Sequence, residues 1–147
     1  MENKRFKPKF DKLFWLTWIP TFVLVAIGTV LSLREISALI ILASSNLFVL
    51  YFFFSSLSGY VELRDDAVFI KCGFILKKEI PYQKIRSLEK TKKIYANSMV
   101  SIKNSLEHVD IKYNTYDIIS VSVCENDELI SEIQRRKEIK VNYYLQL

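Results

Sequence analysis

The sequence predicts a transmembrane hairpin of two helices, followed by a small β-barrel or sandwich of about seven antiparallel strands closed by a C-terminal capping helix. Three observations lead there. Two uncharged runs, residues 13–33 and 36–54, are 21 and 19 residues long. From Tyr60 onward the apolar residues recur with a period of two, in short runs separated by turn residues. Near the end, Leu129, Ile130 and Ile133 return to helical spacing. Charge is partitioned in the same way: residues 1–59 hold 6 basic and 3 acidic residues, and residues 60–147 hold 15 and 13.

Residues 1–12 are a basic segment, with Lys4, Arg5, Lys7, Lys9 and Lys12 against Glu2 and Asp11. Each apolar run that follows is long enough to cross a hydrocarbon core of about 30 Å at about 1.5 Å per residue. A single long buried helix is excluded, because Arg34 and Glu35 would fall at its centre. The tip carries one basic residue and the segment before the first run carries five, so the positive-inside rule places both termini in the cytoplasm. The expectation is a multi-pass cell-membrane protein with its polar domain, residues 60–139, on the cytoplasmic side. Trp15 and Trp18 fit an interfacial aromatic belt. Gly28 and Ser32 form a small-xxx-small pair that favours close helix approach. Asn46 is at mid-depth of the second run, and reflection about a turn centred between Arg34 and Glu35 brings it level with Thr21 and Val23. Asn46 is therefore expected to face the first helix, as an interhelical polar pair with Thr21, or a second protomer. No ionisable residue accompanies them, which argues for helix–helix adhesion and against transport.

The domain reads as strands over residues 60–64, 67–72 and 74–80, a further alternating run over 85–93, and strands over 99–102, 108–113 and 116–123. Asp65 and Asp66 make a turn. Asp127 and Glu128 in the first turn of the final helix, and Arg135 to Lys137 in its last, complement the helix dipole. Ile133 is expected in the barrel mouth and Glu132 on the solvated side. Residues 140–147 are an apolar tail, too apolar to be left in solvent; it should pack on the barrel, add an edge strand or contact a partner.

Strands closed by one helix follow the pleckstrin-homology (PH) plan, and the chain resembles small bacterial membrane proteins that carry a PH-like domain behind one or two spans. The resemblance rests on Tyr60-x-x-Leu63, Gly73 after a strand, Ile80-Pro81-x-x-x-Ile85-x-x-Leu88 with Thr91, Ser98-x-x-Ser101, Asp110-Ile111-x-Tyr113, and Ser122. That family includes the sublancin immunity protein. The resemblance therefore implies immunity to an antimicrobial peptide (bacteriocin immunity), exerted on the peptide or its membrane target.

Composition narrows the chemistry. Cys72, Cys124 and the single His108 are too few for a metal site, and no cofactor loop or catalytic motif is present. His108 reads as a strand or turn residue, and the chain as a non-enzyme without cofactors. Lys77, Lys78, Lys84, Arg86, Lys90, Lys92 and Lys93 fall within 17 residues. Without a groove-reading helix or interleaved aromatics they do not suggest nucleic acid. They suit an anionic leaflet or a partner protein, with a solvated strand face as the plain alternative. Two functions stay open, immunity and a membrane-surface scaffold or lipid- or protein-binding module for an envelope complex; the oligomeric state is not set by the sequence.

Overall fold

The computed structural model describes residues 2–95 and 101–145. The uncharged runs form helices α1 (Lys12–Leu31) and α2 (Ile36–Leu57), joined by a short turn. Both are long and apolar enough to cross a membrane. Their side chains form no core of their own: Leu16, Leu24, Ile41 and Phe48 are each about two-thirds exposed. Where the helices meet, Phe53 takes Trp18 and Phe22 edge-on, each with centroids 5.1 Å away. Gly28 faces Leu42 with room for a methyl group, an added Cβ standing 3.7 Å away, so close approach does not depend on its small size. Ser32 has left the helix and caps it through its backbone N–H.

The domain is two four-stranded sheets closed by a helix. The first has the order β1 (Lys4–Phe6), β2 (Tyr60–Leu63), β3 (Ala67–Cys72) and β4 (Leu76–Pro81), all antiparallel. A single 3-10 turn, Tyr82–Lys84, leads to β5 (Ile85–Lys92) and the second sheet. Its order is β5, β7 (Glu107–Tyr113), β8 (Asp117–Val121) and β6 (Ser101–Ile102). Period-two alternation puts Val61, Leu63, Val68 and Ile70 from one sheet against Val109, Ile111, Ile119 and Val121 from the other, all at most 1% exposed.

The fold class stands, and its path differs from the expected meander in two respects. There are eight strands among the described residues, and β6 pairs with β8 in parallel. The extra strand, β1, precedes the hairpin and pairs with β2, which follows it, through Lys4–Leu63, Arg5–Glu62 and Phe6–Val61. Residues just beyond β1 then join the second sheet: Cys124 donates its N–H to Lys7 O and Lys9 donates to Ser122 O. One short segment thus stitches both sheets together, with Phe6 in the core. Met99 and Val100 of the expected strand, and Ser98 of the family pattern, lie outside the described residues.

Helix α3 (Asn126–Leu145) runs through the region expected to be a separate tail. Arg135 to Lys137 therefore sit at mid-helix, not in the last turn. The Asn126 amide ties the helix start to the sheet, its Oδ1 accepting from Val123 N–H at 3.1 Å. Side chains beyond Lys140 lie outside the described residues.

Candidate functional site

The hairpin is fixed to one end of the domain by short polar contacts. Asp11 caps α1, its Oδ1 accepting from Leu13 N–H at 2.9 Å, while its Oδ2 accepts from Leu106 N–H at 2.6 Å. Burial works to raise this carboxyl, but the Leu106 and Leu13 N–H groups prevail and hold it below the ordinary value. At the end of α2, Asn104 Nδ2 donates to Ser56 O at 3.1 Å.

The β3–β4 turn leans on α2. Gly73 has φ +70°, and a Cβ there would stand 2.0 Å from Ser55 Oγ. That close approach lets Phe74 N–H donate to Ser55 Oγ at 3.4 Å and brings the Phe74 ring to 5.7 Å from Tyr51. Both the left-handed backbone and the contact require glycine. Gly73→Ala is expected to cost about 1–2 kcal/mol from the backbone alone. A lower thermal midpoint of the full chain in detergent checks it, and an unchanged midpoint would show that the turn does not hold this contact.

The seven basic residues do not form one patch. Lys77 follows the β3–β4 turn, exposed and opposite Lys71 in the ladder. Lys78 reaches over the Tyr113 ring at 5.5 Å. Lys84 is exposed in the 3-10 turn, and Arg86 Nη1 donates to Thr115 O at 2.6 Å. Lys90 binds Asp127 at 2.8 Å and Glu107 at 3.2 Å, and these acidic partners raise its ammonium pKa. Lys92 and Lys93, both exposed, return to the hairpin end beside Asp11 and Leu106. Along β5 the six steps from Arg86 to Lys92 span about 20 Å, so the two ends of the cluster face different surroundings.

A cleft that the sequence did not reveal lies beside the α1 cap. It encloses about 340 Å³ and is lined by Lys9, Asp11, Lys12, Lys92, Ser105 and Glu107. Lys9 meets Glu107 across it at 2.9 Å. The lining comes from three separate stretches of chain, which no local pattern connects.

His108 is in β7 and fully buried, as are Asp110 and Ser120. Its Nδ1 faces Leu106 O at 2.9 Å; a carbonyl only accepts, so Nδ1 carries the proton. Nε2 pairs with Thr91 Oγ1 at 2.9 Å and stands 3.5 Å from Asp110 Oδ1, while Ser120 Oγ donates to Asp110 Oδ1 at 2.5 Å. These three residue types together suggest acyl-transfer chemistry, but a substrate cannot reach side chains with no exposed surface. They satisfy one another inside the sheet. Among the described residues no group of three or more His, Cys, Asp or Glu is placed to hold a metal ion.

In the hairpin, Asn46 meets Thr29 and not Thr21: its Nδ2 donates to Thr29 Oγ1 at 3.4 Å. Thr21 Oγ1 donates back to Thr17 O within its own helix. The Thr29–Asn46 and Phe22–Phe53 contacts share a midpoint three residues beyond the one a symmetric turn would give. Gly28–Leu42 and Trp18–Phe53 stay within one residue of the symmetric midpoint, so reflection about the turn fixes the level of a partner only to about one helical turn.

Two apolar helices joined to a two-sheet domain, closed by one helix, define a domain of the PH type carried on a helical hairpin. The sequence pattern of the bacterial PH domain family matches residues 59–137, more than half of the chain. The chain belongs to that family. No curated protein and no solved structure matches it.

Proposed function

We propose that this is a membrane-anchored, non-catalytic PH-domain protein whose hairpin spans the bilayer twice and holds the domain as a binding module against the inner leaflet. The observation that carries this is the pairing of β1 with β2 across the hairpin. Chain on either side of two apolar helices joins one sheet, which supports both flanks lying on one face of the membrane. The five basic residues before residue 13, against one at the tip, support the cytoplasmic face. Ion pairs with Glu128 and Glu107 engage Lys4 and Lys9, but the rule counts basic residues and not net charge.

Of the seven basic residues, Lys77, Lys92 and Lys93 are the ones we propose for the leaflet, at about 1 kcal/mol each near an anionic surface. Lys78, Lys84, Arg86 and Lys90 are left to partner contacts and to the fold. Thiol labelling of intact cells tests the anchoring. Cysteine placed at Arg34 should label from outside, and cysteine at Tyr116, which is 91% exposed, only after permeabilisation. Labelling at 116 from outside would overturn the topology. Cys124 is exposed and needs replacing by Ser, whereas burial pushes the thiol of half-buried Cys72 up to about 11, which slows its labelling.

Bacteriocin immunity, acting on a peptide or its membrane target, is the narrower reading and draws its support from the family resemblance. Expression in a peptide-sensitive host tests it separately. Survival would establish immunity, and unchanged sensitivity would leave the surface module.

A further inference from the structure

The β3–β4 turn carries three consecutive large apolar side chains that the fold leaves bare: Phe74 at 44% exposure, Ile75 at 74% and Leu76 at 51%. A hairpin turn normally carries polar or glycine residues, since its tip is the part most open to water. This tip is held against α2. Phe74 touches the Tyr51 ring, and Gly73 and Phe74 abut Ser55. Tyr51 is six residues before the last residue of α2, so the tip reaches about 9 Å back along the helix from its end. The surrounding α2 surface is also apolar and bare, with Phe52 at 61% and Phe48 at 66% exposure. Behind the tip stand Lys77 and, opposite it in the ladder, Lys71.

We propose that Phe74, Ile75 and Leu76 form a wedge that enters the headgroup–acyl boundary of an anionic bilayer, with Lys77 and Lys71 at headgroup level. The inference rests on the reading that α1 and α2 span the membrane, and it commits to lipid as the occupant. A helix surface at the depth of Tyr51 would be covered by lipid, and the wedge is continuous with it. The order of the residues fits the same boundary, apolar side chains at the tip and cations immediately above. Such a wedge would add to the polar contacts of Asp11 and Asn104 in setting how the domain leans on the bilayer.

Site-directed spin labelling of the full chain tests this in vesicles of phosphatidylcholine mixed with phosphatidylglycerol. Labels go singly at Ile75, at Tyr116 and at Leu24 in mid-α1, with Cys124→Ser as background. Ile75 is 74% exposed, so its replacement removes no core contact. The expected result is a severalfold higher ratio of oxygen to nickel-complex accessibility at 75 than at 116, with position 24 higher still. Position 75 matching 116 while 24 is in lipid would overturn the wedge and leave the spans standing. An aqueous signature at position 24 would overturn both. Dipolar broadening at 75 with low access to both reagents would place a second chain there, and would overturn lipid as the occupant.

Discussion

Ile133→Ala is expected to lower the stability of the domain by roughly 2–5 kcal/mol, the range for a large-to-small change in a packed core. Ile133 and Leu129 have no exposed surface and belong to the same cluster as Phe6, Leu63 and Ile111, with Ile130 packed at its margin. They enter the space between the two sheets that the strands alone leave open. A small domain has about 5–15 kcal/mol in total, so the loss should appear both as a lower melting midpoint and as lower abundance. Gln134→Ala, one residue along on the exposed side, is the matched control. Equal midpoints for the two variants would mean that α3 does not close the barrel. Both belong in the full chain, because a fragment starting at Tyr60 lacks β1 and leaves the Phe6 site empty.

The second large effect is expected at Glu132, where the structure overturns the expectation of a solvated, replaceable side chain. Its side chain is 15% exposed and accepts from Arg136 Nε at 2.9 Å; the Arg136 side chain is 3% exposed. Arg136 in turn donates to Leu63 O, Arg64 O and, at 2.7 Å, Glu2 O. Glu132→Ala removes the only acidic group that the described ion pairs give this buried guanidinium, and is expected to cost about 3–5 kcal/mol. Hydrogen bonds from Arg135, joined by that from Arg136, hold the Glu132 carboxyl down at about 2, while burial opposes them. The folded value lies below the ordinary 4.5, so this stabilisation is complete above 4.5 and is lost as pH falls toward about 2. Glu132→Gln should flatten the fall in melting midpoint across that window. An unaltered acid profile would show that the pair carries no such linkage.

What the sequence disclosed, and what it did not, divides by the length over which a pattern repeats. The two helices and most strands are legible because hydrophobic period is a local property sampled over many residues. Strand β1 is three residues long, with one buried side chain, Phe6, between charged neighbours; nothing in so short a stretch distinguishes it from a basic flank. The burial of Arg136 was equally hidden. Its carbonyl partners are up to 134 residues away, and a helical charge run looks the same whether it meets water or a sheet edge. The basic cluster misled for a related reason, since closeness in sequence along β5 becomes separation along an extended strand. The Phe74-Ile75-Leu76 tip was read as strand, correctly for Leu76, and only the neighbouring helix gives its exposure a meaning.

The strand that precedes the hairpin also bears on how the protein is made. Lys4–Phe6 leave the ribosome before α1, and their partners in β2 emerge only after α2; the partners of Lys7 and Lys9, around Val123, come later still. The domain can be completed only by a chain whose leading residues are on the same side as the residues that follow α2. A chain in which only one of the two helices crossed a bilayer would leave β2 with a bare edge and the core without Phe6, an exposed strand of the kind that invites aggregation and proteolysis. If the two helices span the bilayer, folding of the domain thereby acts as a check on insertion: it requires both flanks on one face, whichever face that is.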